Sequence, residues 1–157
     1  PWYYEMQELG YHYRITDIQC ALGISQLRKL DLFIARRRQL AIQYDRLFAD
    51  FINLKPAIPS QTRSTSSHHL YVIRVDFDSL QLSRAQLMNQ LKEFNILTQV
   101  HYIPIPLQPY YQRRGFDLSH YPECEAYYNQ CLSLPLYFSL RDEEQLFVVN
   151  KLKELVG

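Results

Sequence analysis

The sequence predicts an α+β domain preceded by a broken helical arm. Two observations carry this. Apolar residues recur at helical spacing between Ile18 and Phe48, and beyond a Pro/Ser/Thr-rich stretch, runs of β-branched and aromatic residues alternate with helical patterns. With 157 residues, 47% of them hydrophobic, the chain can bury one real core, but a second full domain is not expected. The expected division is an arm over 1–55 and a small α+β domain over 56–157.

Residues 1–15 are rich in aromatics (Trp2, Tyr3, Tyr4, Tyr11, Tyr13), with Gly10 as a break, and read as a short helix or turn followed by a loop. Thr16 or Asp17 can cap a following helix, since a side-chain oxygen accepts from the free N–H groups of its first turn. That helix carries Ile18, Leu22 and Leu27 and is expected to bend near Leu30 and Asp31. A longer helix is predicted from about Leu32 to Phe48, with Ile34, Ala41, Tyr44 and Phe48 as its apolar stripe. Arg36, Arg37 and Arg38 fan around such a helix and cannot form one patch, so they read as solvated or as a subunit contact.

The stretch from Pro56 to Ser67 reads as a loop. His69–Phe77 has strand composition. Ser83 and Gln86 have the spacing of a capping box, opening a helix whose apolar face is Leu87, Leu91 and Phe94. Ile96–Tyr102 reads as another strand. Pro104, Pro106 and Pro109 argue against regular structure after it, because each lacks the N–H a ladder needs. Pro122 suits the first turn of a helix reaching about Leu132. Leu134–Tyr137 reads as a short extended piece. Asp142–Val156 reads as a closing helix, acid-rich at its start and lysine-bearing near its end, as the helix dipole favours.

Several function classes are excluded by composition. The formal net charge is +1, which gives no basis for a nucleic-acid partner. No apolar run approaches the ~18 residues of a membrane span. The three cysteines, Cys20, Cys124 and Cys131, include no CxxC pair, and Cys124 and Cys131 read as two buried free thiols. Cys124 and Cys131 would share one face of a helix. No phosphate-binding glycine loop and no zinc or serine-hydrolase motif occurs. The adjacent His68 and His69 would point to opposite faces of a strand, so no metal site is expected. The segment His101–Gln108 is the one candidate site: a proline-stiffened loop after a predicted strand, offering His101, Tyr102 and Gln108 as polar tips.

Five runs together resemble one family. Gly10-Tyr11-His12-Tyr13-Arg14-Ile15-Thr16-Asp17-Ile18-Gln19 resembles its GYNYR-(M/I)-(S/T)-(N/D)-IQ signature, continued by Ala21-Leu22-Gly23 and Gln26-Leu27. His69-Leu70-Tyr71-Val72-Ile73 resembles its HLYVI strand. Gln99–Pro104 and Leu107–Tyr111 resemble its VHY-x-P and LQPYY loop, and Leu132–Tyr137 its LSLPLYP turn. This is the DegT/DnrJ/EryC1/StrS group of sugar aminotransferases, fold-type-I enzymes that use pyridoxal 5'-phosphate (PLP). The likeness is greatest to enzymes that aminate C4 of UDP-4-keto-6-deoxy-N-acetylhexosamines in polysaccharide biosynthesis.

The resemblance implies the following. Fold-type-I members are more than twice this length, so the chain is expected to be their C-terminal small domain with its arm, and its start at Pro1 reads as that of an excised piece. The lysine that carries the cofactor would lie in the preceding large domain, since none of Lys29, Lys55, Lys92, Lys151 and Lys153 lies in a matching motif. No cofactor is then expected on this chain alone, which would be inactive by itself. Arg14 matches the arginine that binds the carboxylate of the donor, glutamate, across a homodimer. His12 stands where the family usually has an Asn bonded to the PLP phosphate. His101, Tyr102 and Gln108 fall in the sugar-facing loop, but Pro106 replaces a family His and Phe138 a family Pro. A cytoplasmic enzyme acting on a sugar nucleotide is implied, with self-association through residues 1–50, or disorder of that arm in a monomer. The alternative is a degenerate, non-catalytic remnant or interaction module of the same family.

Overall fold

The computed structural model describes residues 2–58 and 65–157, which fall into two compact units, Pro1–Leu32 and Phe33–Gly157.

In the first unit, residues 2–16 form no helix or strand and lead into helix α1 (Asp17–Leu27). The predicted cap is Thr16. Its hydroxyl accepts from the N–H of Gln19 at 3.3 Å while the Gln19 side chain accepts from the N–H of Thr16 at 2.9 Å. No residue of α1 is buried, and Trp2, Tyr4, Leu9, Tyr11, Ile18 and Leu27 are all exposed. The expected break comes at Arg28 and Lys29, and helix α2 (Leu30–Leu47) follows.

The second unit holds the core. Leu40, Ala41 and Tyr44 of α2 and Phe48 just beyond it are buried, so the far half of the helical arm is an integral wall of this unit. Strands β1 (Leu54–Pro56), β2 (Tyr71–Val75) and β3 (Cys131–Leu134) form an antiparallel sheet in the order β1-β2-β3, with Leu54 opposite Val75 and Tyr71 opposite Leu134. Burial alternates along β2: Tyr71, Ile73 and Val75 face the core, Val72 and Arg74 are half-buried. A single turn, α3 (Phe77–Leu80), leads to α4 (Arg84–Glu93), which starts with the predicted Ser83–Gln86 box. Leu87 and Leu91 of α4 are fully buried, each worth roughly 1.5–3 kcal/mol relative to exposure. Helix α7 (Asp142–Val156) completes the core with Val148, Val149, Leu152 and Val156. Helices α2, α4 and α7 therefore join the Ile73 face of the sheet in one cluster. The other face is not bare: Arg74 donates to Gln130 at 2.8 Å, at the end of helix α6 (Pro122–Gln130).

Several expectations need correction. The run 96–102 is not a strand; it holds one isolated bridge, Gln99 to Ser133. The prolines do not exclude helical structure, because a proline costs no hydrogen bond in a first turn. Ile105–Leu107 forms a 3-10 turn containing Pro106, and Pro109 opens the short helix α5 (Pro109–Gln112). Strand β3 begins at Cys131, where α6 ends, so Cys124 (exposed) and Cys131 (buried) do not share a helical face. The arginine triplet is only partly solvated: Arg36 and Arg37 are half-buried and Arg38 is exposed, and each donates to the backbone. Arg36 donates to the Leu140 carbonyl at 2.6 Å and pairs with Asp142 at 2.8 Å. Arg37 donates to the carbonyls of His68, His69 and Leu136 at 3.3, 2.9 and 3.3 Å, and Arg38 to that of Ser66 at 3.1 Å. Fanned around α2, the three guanidiniums donate to carbonyls of two stretches of backbone, 66–69 and 136–140. The loop predicted over Pro56–Ser67 lies partly outside the described residues, and Pro56 itself ends β1.

Candidate functional site

The bridge between Gln99 and Ser133 decides where the candidate loop sits. Gln99 and Ser133 exchange both backbone hydrogen bonds, at 3.2 and 2.8 Å, so the segment leaving Gln99 is held against the outer side of β3. The Gln99 side chain turns back to accept the N–H of Val100 at 2.9 Å. His101 follows, half-buried, with its Nδ1 2.8 Å from the Ser133 hydroxyl. The His101–Tyr102 peptide is cis, and the Tyr102 ring stands edge-on to the imidazole at 4.7 Å between centroids. Tyr102 is 73% exposed.

Pro104 and Pro106 are buried and pin the 3-10 turn that follows. The turn brings Gln108 back so that its amide faces the Ile103 carbonyl at 3.4 Å. The result is a shallow groove of about 510 Å³ lined by Gln99, Val100, His101, Tyr102, Ile103, Gln108 and Tyr128. Three of the expected residues, His101, Tyr102 and Gln108, thus share one surface. Its chemistry is mixed: aromatic and aliphatic faces beside an imidazole, two phenols and two carboxamides. Such a lining suits a ligand with both C–H faces and hydroxyl or carbonyl oxygens.

Ser133 and Tyr128 were not singled out by sequence reasoning. Ser133 lies inside the quoted Leu132–Tyr137 run, which marks the family but gives no hint that its hydroxyl reaches a histidine thirty residues away. Tyr128 is held by Arg84, whose guanidinium donates to the Tyr128 carbonyl and lies 4.7 Å from the ring centroid. No position-specific signal in the sequence marks it. Cys131 is near but is not a nucleophile: burial pushes its thiol up, with the Arg84 charge opposing. Among the described residues no three His, Cys, Asp or Glu side chains cluster as metal ligands, and no helix is long and apolar enough to cross a membrane.

The other two expected residues lie in the first unit. His12 and Arg14 are both exposed, and they flank Tyr13, whose φ is 51°. The N–H of Arg14 donates to Nδ1 of His12 at 2.9 Å. With Nδ1 an acceptor, the neutral ring carries its proton on Nε2. His12 therefore offers an N–H donor, and Arg14 a planar guanidinium fork, from adjacent positions of one turn.

Comparison with known proteins identifies the family. The spore coat polysaccharide biosynthesis protein SpsC of Bacillus subtilis is 37% identical over 158 residues, which are 99% of this chain and 40% of SpsC. The Streptococcus pneumoniae protein Spr1654, described as a sugar aminotransferase and solved in apo, PMP and PLP forms, superposes with a TM-score of 0.84. Its PLP form is 32% identical over 99% of this chain and 39% of its own. Helicobacter pylori PseC, an aminotransferase of pseudoaminic acid biosynthesis, superposes with a TM-score of 0.83 at 30% identity, over 97% of this chain and 40% of its own. The chain spans about two fifths of the length of these relatives. The profile of the DegT/DnrJ/EryC1/StrS aminotransferase family matches residues 2–153, and the chain belongs to that family.

Proposed function

We propose that this chain is the C-terminal part of a PLP-dependent sugar-nucleotide aminotransferase, a cytoplasmic homodimer that moves an amino group from glutamate to a 4-keto sugar nucleotide for cell-surface polysaccharide synthesis. The observation that carries the reading is the groove in which His101, Tyr102 and Gln108 meet, in a chain that matches its family from residue 2 to residue 153. The polysaccharide role draws on the name of SpsC, and the keto-sugar acceptor on the similarity to PseC.

The residues present fit the cofactor's phosphate. His12 offers Nε2–H, because Nδ1 is engaged by Arg14, and a ring N–H is a sound donor to a phosphate oxygen. When bound, PLP supplies the electron sink that amino transfer requires. The work of this chain is then to bind and orient. Arg14 grips the glutamate carboxylate through two parallel N–H bonds. His101 and Gln108 hold oxygens of the sugar, and Tyr102 covers an apolar sugar face.

The lysine that carries the cofactor belongs to the preceding domain in this reading. Lys151 pairs with Glu154 at 2.6 Å and lies 4.6 Å from the Phe94 ring centroid, and Lys153 lies 5.2 Å from that of Phe51; none of the five lysines lines the His101 groove. The isolated chain therefore shows no transamination. Mixing it with PLP and reducing with borohydride leaves its mass unchanged, whereas a stoichiometric adduct on one of its lysines would overturn the reading. In the full-length protein, glutamate-dependent amination of a UDP-4-keto sugar is the positive test.

One observation favours a second reading, a family member that has lost catalysis. Pro106 stands where the family has a donor histidine, and it is buried in the 3-10 turn, where it can donate nothing. A full-length protein inactive until His12→Asn and Pro106→His are introduced would establish that reading.

A further inference from the structure

Ser133 sits in the middle of β3 and is 5% exposed. Its backbone is committed to Gln99, and its hydroxyl oxygen has a single hydrogen-bond partner among the described residues, His101 Nδ1 at 2.8 Å. A buried hydroxyl must place its proton on an acceptor, and here Nδ1 is the acceptor within reach. Were the ring to donate from Nδ1 instead, the serine proton would be stranded in a dry position beside the sheet. With the serine donating, only an oxygen lone pair goes unused, which costs far less.

We propose that Ser133 is a positioning residue: it donates its hydroxyl proton to Nδ1 of His101, fixes the neutral ring with its proton on Nε2, and so presents Nε2–H as a donor to a hydroxyl or carbonyl oxygen of the sugar in the groove. The ligand half of this rests on reading the groove as the sugar site. Nε2 has no protein partner among the described residues, so its capacity is available to a ligand. The Tyr102 ring stands edge-on beside the imidazole, tilted 83° to it. His101 then acts as an oriented donor, not as a general base, and specificity follows: an acceptor that offers an N–H where the sugar offers oxygen would meet a like group.

The test has two separate readouts. In the chain as it stands, ¹⁵N-edited NMR of the His101 ring should show Nδ1 unprotonated and Nε2 protonated. Ser133→Ala should move both ring nitrogens toward an average of the two tautomers, and Ser133→Thr, which keeps the hydroxyl, should restore the original pattern. A ring protonated at Nδ1 in the native chain, or ring nitrogens unmoved in Ser133→Ala, would overturn the proposal. In the full-length enzyme, Ser133→Ala should raise KM for the sugar nucleotide about tenfold, the loss of one oriented hydrogen bond, and leave KM for glutamate unchanged. If the NMR result holds but His101→Ala leaves the sugar-nucleotide KM unaltered, the sugar reading of the groove has failed, and the ligand half of the proposal falls with it.

Discussion

The backbone N–H of Arg14 ends on Nδ1 of His12, 2.9 Å away, so the two residues expected to meet opposite ends of the chemistry, cofactor and amino donor, are locked to each other. His12 needs no added proton to act as a donor; a doubly protonated ring would have to release Arg14. His12→Ala in the full-length protein should therefore weaken PLP retention by about tenfold or more, as expected for one hydrogen bond to a charged group. His12→Asn, which keeps an N–H donor, should retain the cofactor. Equilibrium dialysis of the two variants checks both.

Arg14→Lys keeps the charge but loses the fork. A lysine makes a point contact with a carboxylate, so KM for glutamate should rise about tenfold, with KM for the sugar nucleotide unaltered. Steady-state kinetics with each substrate varied in turn separates the two constants. Equal changes in both would remove Arg14 from the donor site.

Arg37 should matter more to stability than its neighbour Arg38. Its guanidinium meets three carbonyls from two distant segments, those of His68, His69 and Leu136, whereas among the described residues Arg38 meets one, that of Ser66. Arg37→Met leaves carbonyls stripped of their donor and should cost about 2–3 kcal/mol. Arg38→Met should cost less than about 1 kcal/mol. Urea unfolding of the two variants gives the comparison.

Tyr44 gives a stability signature at high pH. Its hydroxyl donates to the Pro135 carbonyl at 2.9 Å, and its ring stacks between Phe48 and Tyr71 at 5.7 and 4.6 Å. Burial pushes its phenol well above the ordinary tyrosine value, with a smaller push from Tyr137. A phenol harder to ionise when folded than when unfolded leaves stability intact below about pH 10, the unfolded value. Stability then falls as pH rises from there through the folded value. Tyr44→Phe should be less stable by about 1 kcal/mol at neutral pH, yet lose less than the native chain between neutral pH and pH 11. Parallel denaturant titrations at the two pH values would show it.

The elements legible in the sequence are those whose causes are local. The boxes at Thr16–Gln19 and Ser83–Gln86 involve residues three apart, and both helices start where those residues predict. The closing helix occupies Asp142–Val156 as its acidic start and apolar spacing require. What was not legible depends on partners distant in sequence. The run 96–102 has strand composition, but only Gln99 finds a ladder partner. The Cys131–Leu134 run is apolar enough to be read either as the end of a helix or as a strand, and pairing with β2 settles it. The partners of Arg36 and Arg37 were not legible because they are largely backbone carbonyls, which carry no mark in the sequence. At the candidate site, proximity of His101, Tyr102 and Gln108 follows from a short loop, whereas Ser133 enters through the sheet.

Strand β1 has a consequence for how the protein behaves in a crowd. The N–H of Ala57 reaches Val72 and the carbonyl of Asn53 reaches Asp76, so Asn53, Lys55 and Ala57 turn their backbone toward β2, and Leu54 and Pro56 turn theirs outward. The outward position at Pro56 has no hydrogen to offer. The open rim of the sheet is thus three residues long, carries a lysine, and is blunted where a stray strand would have to begin pairing. A stray strand therefore finds little to pair with along β1.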